Sequence, residues 1–327
     1  MAKSSSEDAL VRQVFQGFPA ARQAGLRLGP GDDAAIWLPR KGHETILTSD
    51  WFLEGTHFLR ELHPPDSVGW KCLTRAVSDI AAMGGTPRCF LLNLALPPAV
   101  AWPWLNGFLS GLRRAARRLG CALAGGDTTR KDRILINVTV IGEVAKDCAV
   151  LRSGARPEDL LFVSGRLGEA ELGLRLLRKS RGKARAAGAA LRKHLYPEPR
   201  IALGSWLARH GIASAMMDLS DGLSTDLARL CEASGVGAVI SENAVPTPAG
   251  VAREEAVRLA LHGGDDYELL FMVPASRIRR FRRLLKNQRE VPVSCIGSIT
   301  KQRKLVLVKE DSKTMELVPG GWDPFRE

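Results

Sequence analysis

The sequence predicts a mixed α/β (α+β) protein of two domains. Short β-rich runs alternate with helical periods along the whole chain, as layered α/β proteins require. Most helical stretches close on a glycine (Gly84, Gly120, Gly211, Gly235), the residue that best adopts the left-handed cap. The chain has 327 residues, about twice the size of a common domain. A long strand ends at Val144 and the polar run Arg152–Pro157 precedes the next, so the boundary is expected near 145–157, giving domains 1–150 and 151–327.

Taken in order, the β-branched run Glu44–Ser49 reads as a strand. Asp66–Met83 reads as a helix with Val68, Cys72, Ala76 and Ile80 on one face and Asp79 among them. The apolar run Cys89–Leu96 reads as a buried strand, Val100–Leu119 as a helix, Cys121–Ala124 as a strand, and the alternating Arg133–Val144 as a strand. The second half continues with strands Leu160–Ser164, Ala213–Met217, Glu268–Val273 and Val291–Ile299. Its helices are Leu167–Lys179, Pro199–Arg209, Leu223–Ser234 and Ser276–Asn287. The last of these places Ile278, Phe281 and Leu285 on one face with arginines around them, the pattern of a solvated amphipathic helix. Trp70, Trp102, Trp104 and Trp206 stand at helical spacing among apolar residues and read as core or interface packing.

A net charge of +12 favours polyanionic partners: phosphorylated small molecules, nucleic acid or anionic membrane. The six cysteines are too widely spaced for a C-x-x-C pair, so buried free thiols in a reducing compartment are expected. Acids stand where a secretory leader would have its apolar segment, and no uninterrupted apolar run could span a bilayer. The expectation is a cytoplasmic protein without a membrane partner. Between Glu171 and Glu198 there is no acid but a crowd of bases with Gly182 and Gly188 among them; residues 175–193 read as an exposed, partly mobile basic insertion.

Aspartates gather beside glycines at the expected strand-to-loop junctions: Gly31–Asp33, Ser49–Asp50, Gly125–Asp127, Asp218–Gly222 and Gly263–Asp266. Turn chemistry explains any one of these, but not five together with Asp79 in an apolar helix face. Carboxylates converging on one cleft repel and take up protons unless a multivalent cation holds them ionised. Oxygen ligands without a cysteine or histidine cluster suit Mg²⁺, which bridges carboxylates to substrate phosphates. The adjacent glycines let backbone N–H groups approach phosphate oxygens. Together these point to phosphoryl transfer. A P-loop, a dinucleotide-binding G-x-G-x-x-G turn, the protein-kinase set, a nucleophile elbow and H-E-x-x-H are all absent.

These segments, in their order, resemble the thiamine-monophosphate kinase family of the AIR-synthetase-like (PurM-like) superfamily. The matching pieces are Gly31–Ala34, Leu47–Asp50, Glu54–Phe58, Gly69–Lys71, Val77–Gly84, Gly125–Arg130, Arg152–Ala155, Val163–Gly165 with Leu167–Gly168, Met217–Leu223, Gly263–Phe271 and Gly321–Trp322. The resemblance implies a homodimer whose N-terminal domain forms a β-barrel-like interface, with a C-terminal α/β domain closing over the site. It implies ATP-dependent conversion of thiamine monophosphate to thiamine diphosphate by direct in-line transfer. Carried over by position, Asp33, Thr48, Ser49, Asp50, Asp79, Asp127, Asp218 and Asp221 are the implied Mg²⁺ ligands, with Asp50, Asp218 and Asp221 at the catalytic centre. Gly126, Asp127, Arg152 and Ser220 are implied ATP contacts, and His57, Asp265 and Trp322 contacts to thiamine monophosphate. A tryptophan face attracts a cationic thiazolium by about 1–2 kcal/mol.

Two positions depart from the family pattern: Asp265 stands where a glutamate is usual, and Leu109 where an adenine-side tyrosine is common. The basic insertion has no counterpart in the family. Outside the resemblance, His57 alone would read as an ordinary surface or core histidine, and Lys71 as a phosphate contact or a solvated helix lysine. An aminoimidazole-ribonucleotide-synthetase type of enzyme stays open on chemistry, since it too uses ATP and Mg²⁺. Selenophosphate synthetases and hydrogenase-maturation dehydratases of this fold would need a reactive N-terminal or C-terminal cysteine, which is lacking. Nucleic-acid binding stays open on charge alone, although no nucleic-acid module is present.

Overall fold

The structure is a computed structural model that describes residues 11, 13–18, 25–98, 100, 102–181, 188–286, 288 and 291–325. The N-terminal stretch Met1–Asp8 and residues 182–187 of the basic insertion lie outside the described residues. The fold is mixed α/β, and two compact units divide it: one within 1–80, 86–146 and 181–183, the other within 81–85, 147–180 and 184–327.

The first unit is built on a four-stranded sheet in the order β3-β6-β4-β5, formed by β3 (His43–Leu53), β4 (Thr86–Leu96), β5 (Ala122–Arg130) and β6 (Leu135–Ala145). Pairing is antiparallel except for β4 with β5, which the helix α2 (Trp102–Leu119) joins as a crossover. A smaller ladder pairs β1 (Leu26–Leu28) with β2 (Ile36–Trp37). Helix α1 (Pro65–Ala82) buries Val68, Cys72, Leu73, Ala76 and Ile80. It meets α2 at glycines: a Cβ on Gly69 would stand 1.9 Å from the Phe108 carbonyl oxygen, and one on Gly111 1.8 Å from that of Asp66. Only bare backbone allows so close a crossing.

The second unit carries a seven-stranded sheet in the order β13-β12-β9-β11-β7-β10-β8. Its strands are β7 (Leu160–Ser164), β8 (Ala215–Leu219), β9 (Gly237–Ser241), β10 (Glu268–Val273), β11 (Val293–Thr300), β12 (Leu305–Val308) and β13 (Thr314–Glu316). Both faces are covered, which is why Glu268–Val273 is buried at every residue. Leu270 and Met272 pack with Leu223, Leu227 and Leu230 of α6 (Leu223–Ser234) and with Val257, Ala260 and Leu261 of α7 (Arg253–His262). Leu269, Phe271 and Val273 pack with Leu203 and Leu207 of α5 (Ile201–Arg209) and Phe281 of α8 (Ile278–Leu285). Two further helices, α3 (Glu169–Lys179) and α4 (Ala189–Leu195), contact one another on either side of residues 180–188.

All four cap glycines adopt positive φ, from 54° to 75°. Several expectations need correction. The strand expected at Cys121–Ala124 runs on to Arg130, so Gly125–Asp127 lies within an edge strand rather than at its end; Asp50 likewise sits inside β3. The edge position tolerates this, because Gly126 at φ 148° lets the chain pass where a Cβ would stand 1.8 Å from the Leu92 carbonyl oxygen. The described flanks of the basic insertion are helical and packed: Leu177 and Leu191 are buried, and Arg175 pairs with Glu171 and Glu255. Cys295 is exposed and Cys148 half-buried, Trp102 is exposed, and Lys71 is buried rather than solvated. Among the described residues no helix is long and apolar enough to cross a membrane.

Phe281 is 1% exposed and sits edge-on to Phe162 and Phe271, with ring centroids 5.1 and 6.0 Å away. Phe281→Ala should cost about 3–5 kcal/mol. The expected outcome is a clear drop in the urea midpoint with far-UV circular dichroism retained in buffer; an unchanged midpoint would show that α8 contributes little to the core.

Candidate active site

In the first unit, helix and strand repeats are matched. Two residues along β3 advance about 6.6 Å, and four residues of α1 advance about 6 Å, so a pair of positions on one can meet a pair on the other. Thr48 Oγ1 donates to Asp79 Oδ2 at 2.5 Å. Four residues earlier on α1, Arg75 Nε lies 3.6 Å from Asp50 Oδ2, with its guanidinium 5.5 Å from the Phe52 ring centroid. Thr48, Asp50 and Phe52 therefore share the face that α1 covers. Ser49 points to the opposite face, where its hydroxyl lies 3.0 Å from Thr139 Oγ1, and Asn137 Nδ2 donates to it at 3.1 Å. The same amide nitrogen donates to the Asp50 carbonyl at 3.1 Å, while Asn93 Nδ2 donates to Asn137 Oδ1 at 3.2 Å.

Asp33 lies in a cleft of about 970 Å³ that Leu26, Trp37, Cys89, Leu91, Gly125 and Gly126 also line. Exposed Asp127 sits on β5 opposite Asn93 of β4, its carboxylate accepting the Thr128 amide at 2.8 Å. His57 is held by its own turn: its Nδ1 accepts the Leu53 amide at 3.0 Å. That acceptor role places the proton of the neutral ring on Nε2.

In the second unit, the end of β8 and two loops come together. Asp218 is buried within β8. Ser220 and Asp221 follow, and Asp226 Oδ2 accepts the amides of Ser220, Asp221 and Gly222 at 3.0, 2.9 and 3.1 Å. Burial and the neighbouring Asp221 carboxylate push Asp226 up to about 7, against the pull of those amides and Arg229. Arg229 pairs with both Asp221 and Asp226. The Asp265 amide donates to the Ser220 carbonyl at 2.7 Å, and the Trp322 amide to the Asp221 carbonyl at 2.9 Å. Asp221, Asp265 and Trp322 thus gather about one turn, with Trp322 half exposed. Exposed Arg152 opens the 3₁₀ turn Arg152–Gly154, and Ser234 Oγ donates to its carbonyl at 2.6 Å.

Family models for the N-terminal and C-terminal domains of AIR synthase related protein match residues 31–144 and 156–310. Thiamine-monophosphate kinase of Synechococcus elongatus is 34% identical over 95% of this chain and 94% of its own. The crystal structure of the same enzyme from Stenotrophomonas maltophilia superposes with a TM-score of 0.81 at 32% identity, over 92% of this chain and 96% of that one. The structure of AaThiL complexed with AMPPCP and TMP gives a TM-score of 0.75 at 31% identity, over 98% of this chain and 97% of the other. The chain belongs to the thiamine-monophosphate kinase family.

Within each unit of this thiamine-monophosphate kinase family member, the donors at the candidate positions are carboxylate and hydroxyl oxygens, which suit a hard divalent cation. Among the described residues, no three acidic, histidine or cysteine side chains stand together as a group that could hold a metal ion, so the aspartates expected to converge are not gathered into one such cluster. Sequence reading missed Arg75, Asn137, Asp226 and Arg229. For Asp226 a signal existed: an acid four residues after Gly222 falls in the first turn of α6, where it can accept the turn's free amides. Arg75 had one too, being a helical turn before Asp79.

The C-terminal segment is tied down through a histidine. Gly320 N donates to Ser224 Oγ at 3.2 Å, and that hydroxyl lies 2.8 Å from His262 Nδ1. Burial, then Arg258, hold His262 below its ordinary range. A histidine with a depressed folded pKa contributes stability that is complete above about 6.5 and is lost as pH falls through the lower folded value. Amide-exchange protection at Gly320–Trp322 should therefore fall on acidification from about pH 7.5 to 5.5, and His262→Gln should remove that dependence. Equal protection across the range in the unmodified protein would show that the histidine does not govern the segment.

Proposed function

We propose that this chain transfers the terminal phosphoryl group of ATP to thiamine monophosphate, yielding ADP and thiamine diphosphate. The observation that carries the reading is full-length similarity to AaThiL, whose structure holds AMPPCP and TMP together. An oxygen of the acceptor phosphate attacks the γ-phosphorus in line, the bond to the β,γ-bridging oxygen breaks, and ADP leaves. No phosphoenzyme is needed, so catalysis consists of positioning and charge neutralisation.

Asp33, Thr48, Ser49, Asp50, Asp79 and Asp127 of the first unit, and Asp218 and Asp221 of the second, are the residues that would hold Mg²⁺. When bound, Mg²⁺ supplies positive charge to the phosphates and to the leaving oxygen. Gly126 and Asp127 lie on the edge strand β5 and would contact the nucleotide from there. Arg152 and Ser220 supply a forked cation and a hydroxyl for the nucleotide. His57 Nε2–H, Asp265 and the exposed face of Trp322 are left to orient thiamine monophosphate, the indole favouring its cationic ring.

Leu47 and Trp51 stand exposed on the uncovered face of β3, with relative exposures of 68% and 55%. We propose that a second copy of the chain covers them in a homodimer. All six cysteines are free thiols, in keeping with work in the reducing cytoplasm.

Purified protein with ATP and Mg²⁺ should form ADP with thiamine monophosphate but not with thiamine or without acceptor, with thiamine diphosphate in stoichiometric yield by chromatography. Silence with thiamine monophosphate despite Mg-ATP binding would overturn the acceptor assignment. Asp50→Asn and Asp218→Asn should each cut kcat by roughly 10²-fold or more with the fold intact, whereas Asp265→Glu should be tolerated; near-normal turnover in both asparagine variants would remove the cation-holding roles. Trp51→Glu should shift the mass measured by light scattering from dimer to monomer, and a monomeric unmodified protein would refute the second-copy assignment.

A further inference from the structure

The loop that carries Asp265 is under backbone constraint. Asp265 has φ 69° and Tyr267 φ 51°, the left-handed region that non-glycine residues avoid at a cost of about 1–3 kcal/mol each unless the surroundings impose it. On one side the Asp265 and Tyr267 amides donate to the Ser220 and Leu219 carbonyls, at 2.7 and 2.8 Å. The Tyr267 hydroxyl donates to Asp265 Oδ1 at 2.7 Å. On the other side, the carboxylates of Asp266 and Glu268 are drawn into the protein, 3% and 0% exposed.

Two cations close that buried pair of charges. Glu268 receives Arg200 Nε at 2.7 Å and Nη2 at 2.5 Å, Lys193 Nζ at 2.8 Å and Ser164 Oγ at 2.5 Å. A Cβ on Gly165 would stand 2.2 Å from its Oε1, so the carboxylate is seated against bare backbone. Asp266 accepts the Gly168 and Ala170 amides at the start of α3, at 2.5 and 3.1 Å, and lies 3.6 Å from Lys193 Nζ. Among the described residues Lys193 pairs with both acids, its ammonium also lies 3.9 Å from Glu169 Oε2, and it donates to the Arg166 carbonyl at 2.5 Å. Burial pulls its ammonium down, but Asp266 and Glu268 together outweigh that and hold it above its ordinary value.

We propose that Lys193, delivered on α4 by the basic segment, is a positioning residue for the acceptor substrate: by neutralising Asp266 and Glu268 it holds the Gly263–Tyr267 loop in its left-handed form and so aims Asp265. The inference rests on the reading of Asp265 as the contact to thiamine monophosphate. Without the ammonium, Asp266 is a buried charge with only two amides to satisfy it, and a group left in that state relaxes toward water or takes up a proton. Either change releases the inward pull that makes Asp265 and Tyr267 adopt positive φ.

The test uses the full-length protein and Lys193→Met, which keeps the aliphatic stem, with Lys193→Gln as the variant to use should the first not fold. Binding and steady-state kinetics with thiamine monophosphate and Mg-ATP give one readout, and amide exchange followed by NMR gives the other. The expected result is a KM for thiamine monophosphate raised about tenfold or more, with KM for Mg-ATP changed by less than about twofold, since small misplacement of a substrate contact is costly. Exchange at the Asp265 and Tyr267 amides should accelerate about tenfold while Phe271 and Met272 in β10 keep their protection. In an Asp265→Ala background, Lys193→Met should add nothing further to the KM for thiamine monophosphate. Equal losses for both substrates, additive effects in the double variant, or unchanged exchange at Asp265 and Tyr267 would each overturn the proposal. If Asp265→Ala itself leaves thiamine-monophosphate binding unchanged, the substrate assignment fails, and the exchange experiment still decides whether Lys193 orders the loop.

Discussion

A carboxylate taken out of water must be met by a cation, by several amides or by a proton, and much of this structure follows from that requirement. Glu143 in β6 is 2% exposed and receives both Arg40 and Arg88, through bonds of 2.6 and 2.9 Å. Burial alone would raise its pKa, yet those arginines hold it below the usual carboxylate range. Glu268 is managed in the same way by Arg200 and Lys193, and its carboxyl is likewise held low in spite of burial. Asp226 and Asp266 lean on backbone amides at the start of α6 and α3, where the helix dipole adds to the attraction. Part of the chain's positive charge is therefore spoken for inside the fold.

This bears on the excess of bases. Read as a surface property, a charge of +12 advertises polyanion binding. Arg40, Arg88, Arg200, Arg229 and Lys193 are each engaged with a carboxylate, and Arg175 and Arg258 share Glu255. Each such pair cancels one positive against one negative charge, so the pairs leave the excess of +12 untouched, and it is carried by the remaining bases.

The layers of the fold were legible because its strands and helices announce themselves by period. Cys89–Leu96 is apolar but for Asn93, and Glu268–Val273, buried at every residue, is apolar but for Glu268, and several helices end on glycine. Less legible were β9, β12 and β13, which are short, and α7, whose Arg-Glu-Glu start and mixed face give a weak helical period. The Gly-Asp motifs stood out by composition, but their placement inside strands did not, because Gly125 and Gly126 look like a turn unless the pairing of β5 with β4 is known. The family resemblance located the candidate residues in sequence. It was silent on Arg75 beside Asp50 and on Lys193 between Asp266 and Glu268, since a partner 25 or 75 positions away leaves no local trace. For the same reason a run of bases between two helices reads as solvated surface until the acids that face it are seen.

The strand order of the first unit also sets a schedule for synthesis. β6, the last of the four to leave the ribosome, lies between β3 and β4 and, among the described residues, is the one strand that pairs with β3. Until residue 145 has emerged, the nascent chain can assemble the β4–β5 pair and its crossover helix, but β3 must wait with both edges open and with Leu47 and Trp51 on it. Such long-range closure is slow and leaves sticky strand edges unpaired. In the second unit β7 emerges first, but its neighbours β10 and β11 are the fourth and fifth of the seven strands to be made, so β8 and β9 also wait for partners. Both halves therefore hold unpaired strand edges until late in their synthesis, and that is the stage at which a nascent chain would most need a chaperone.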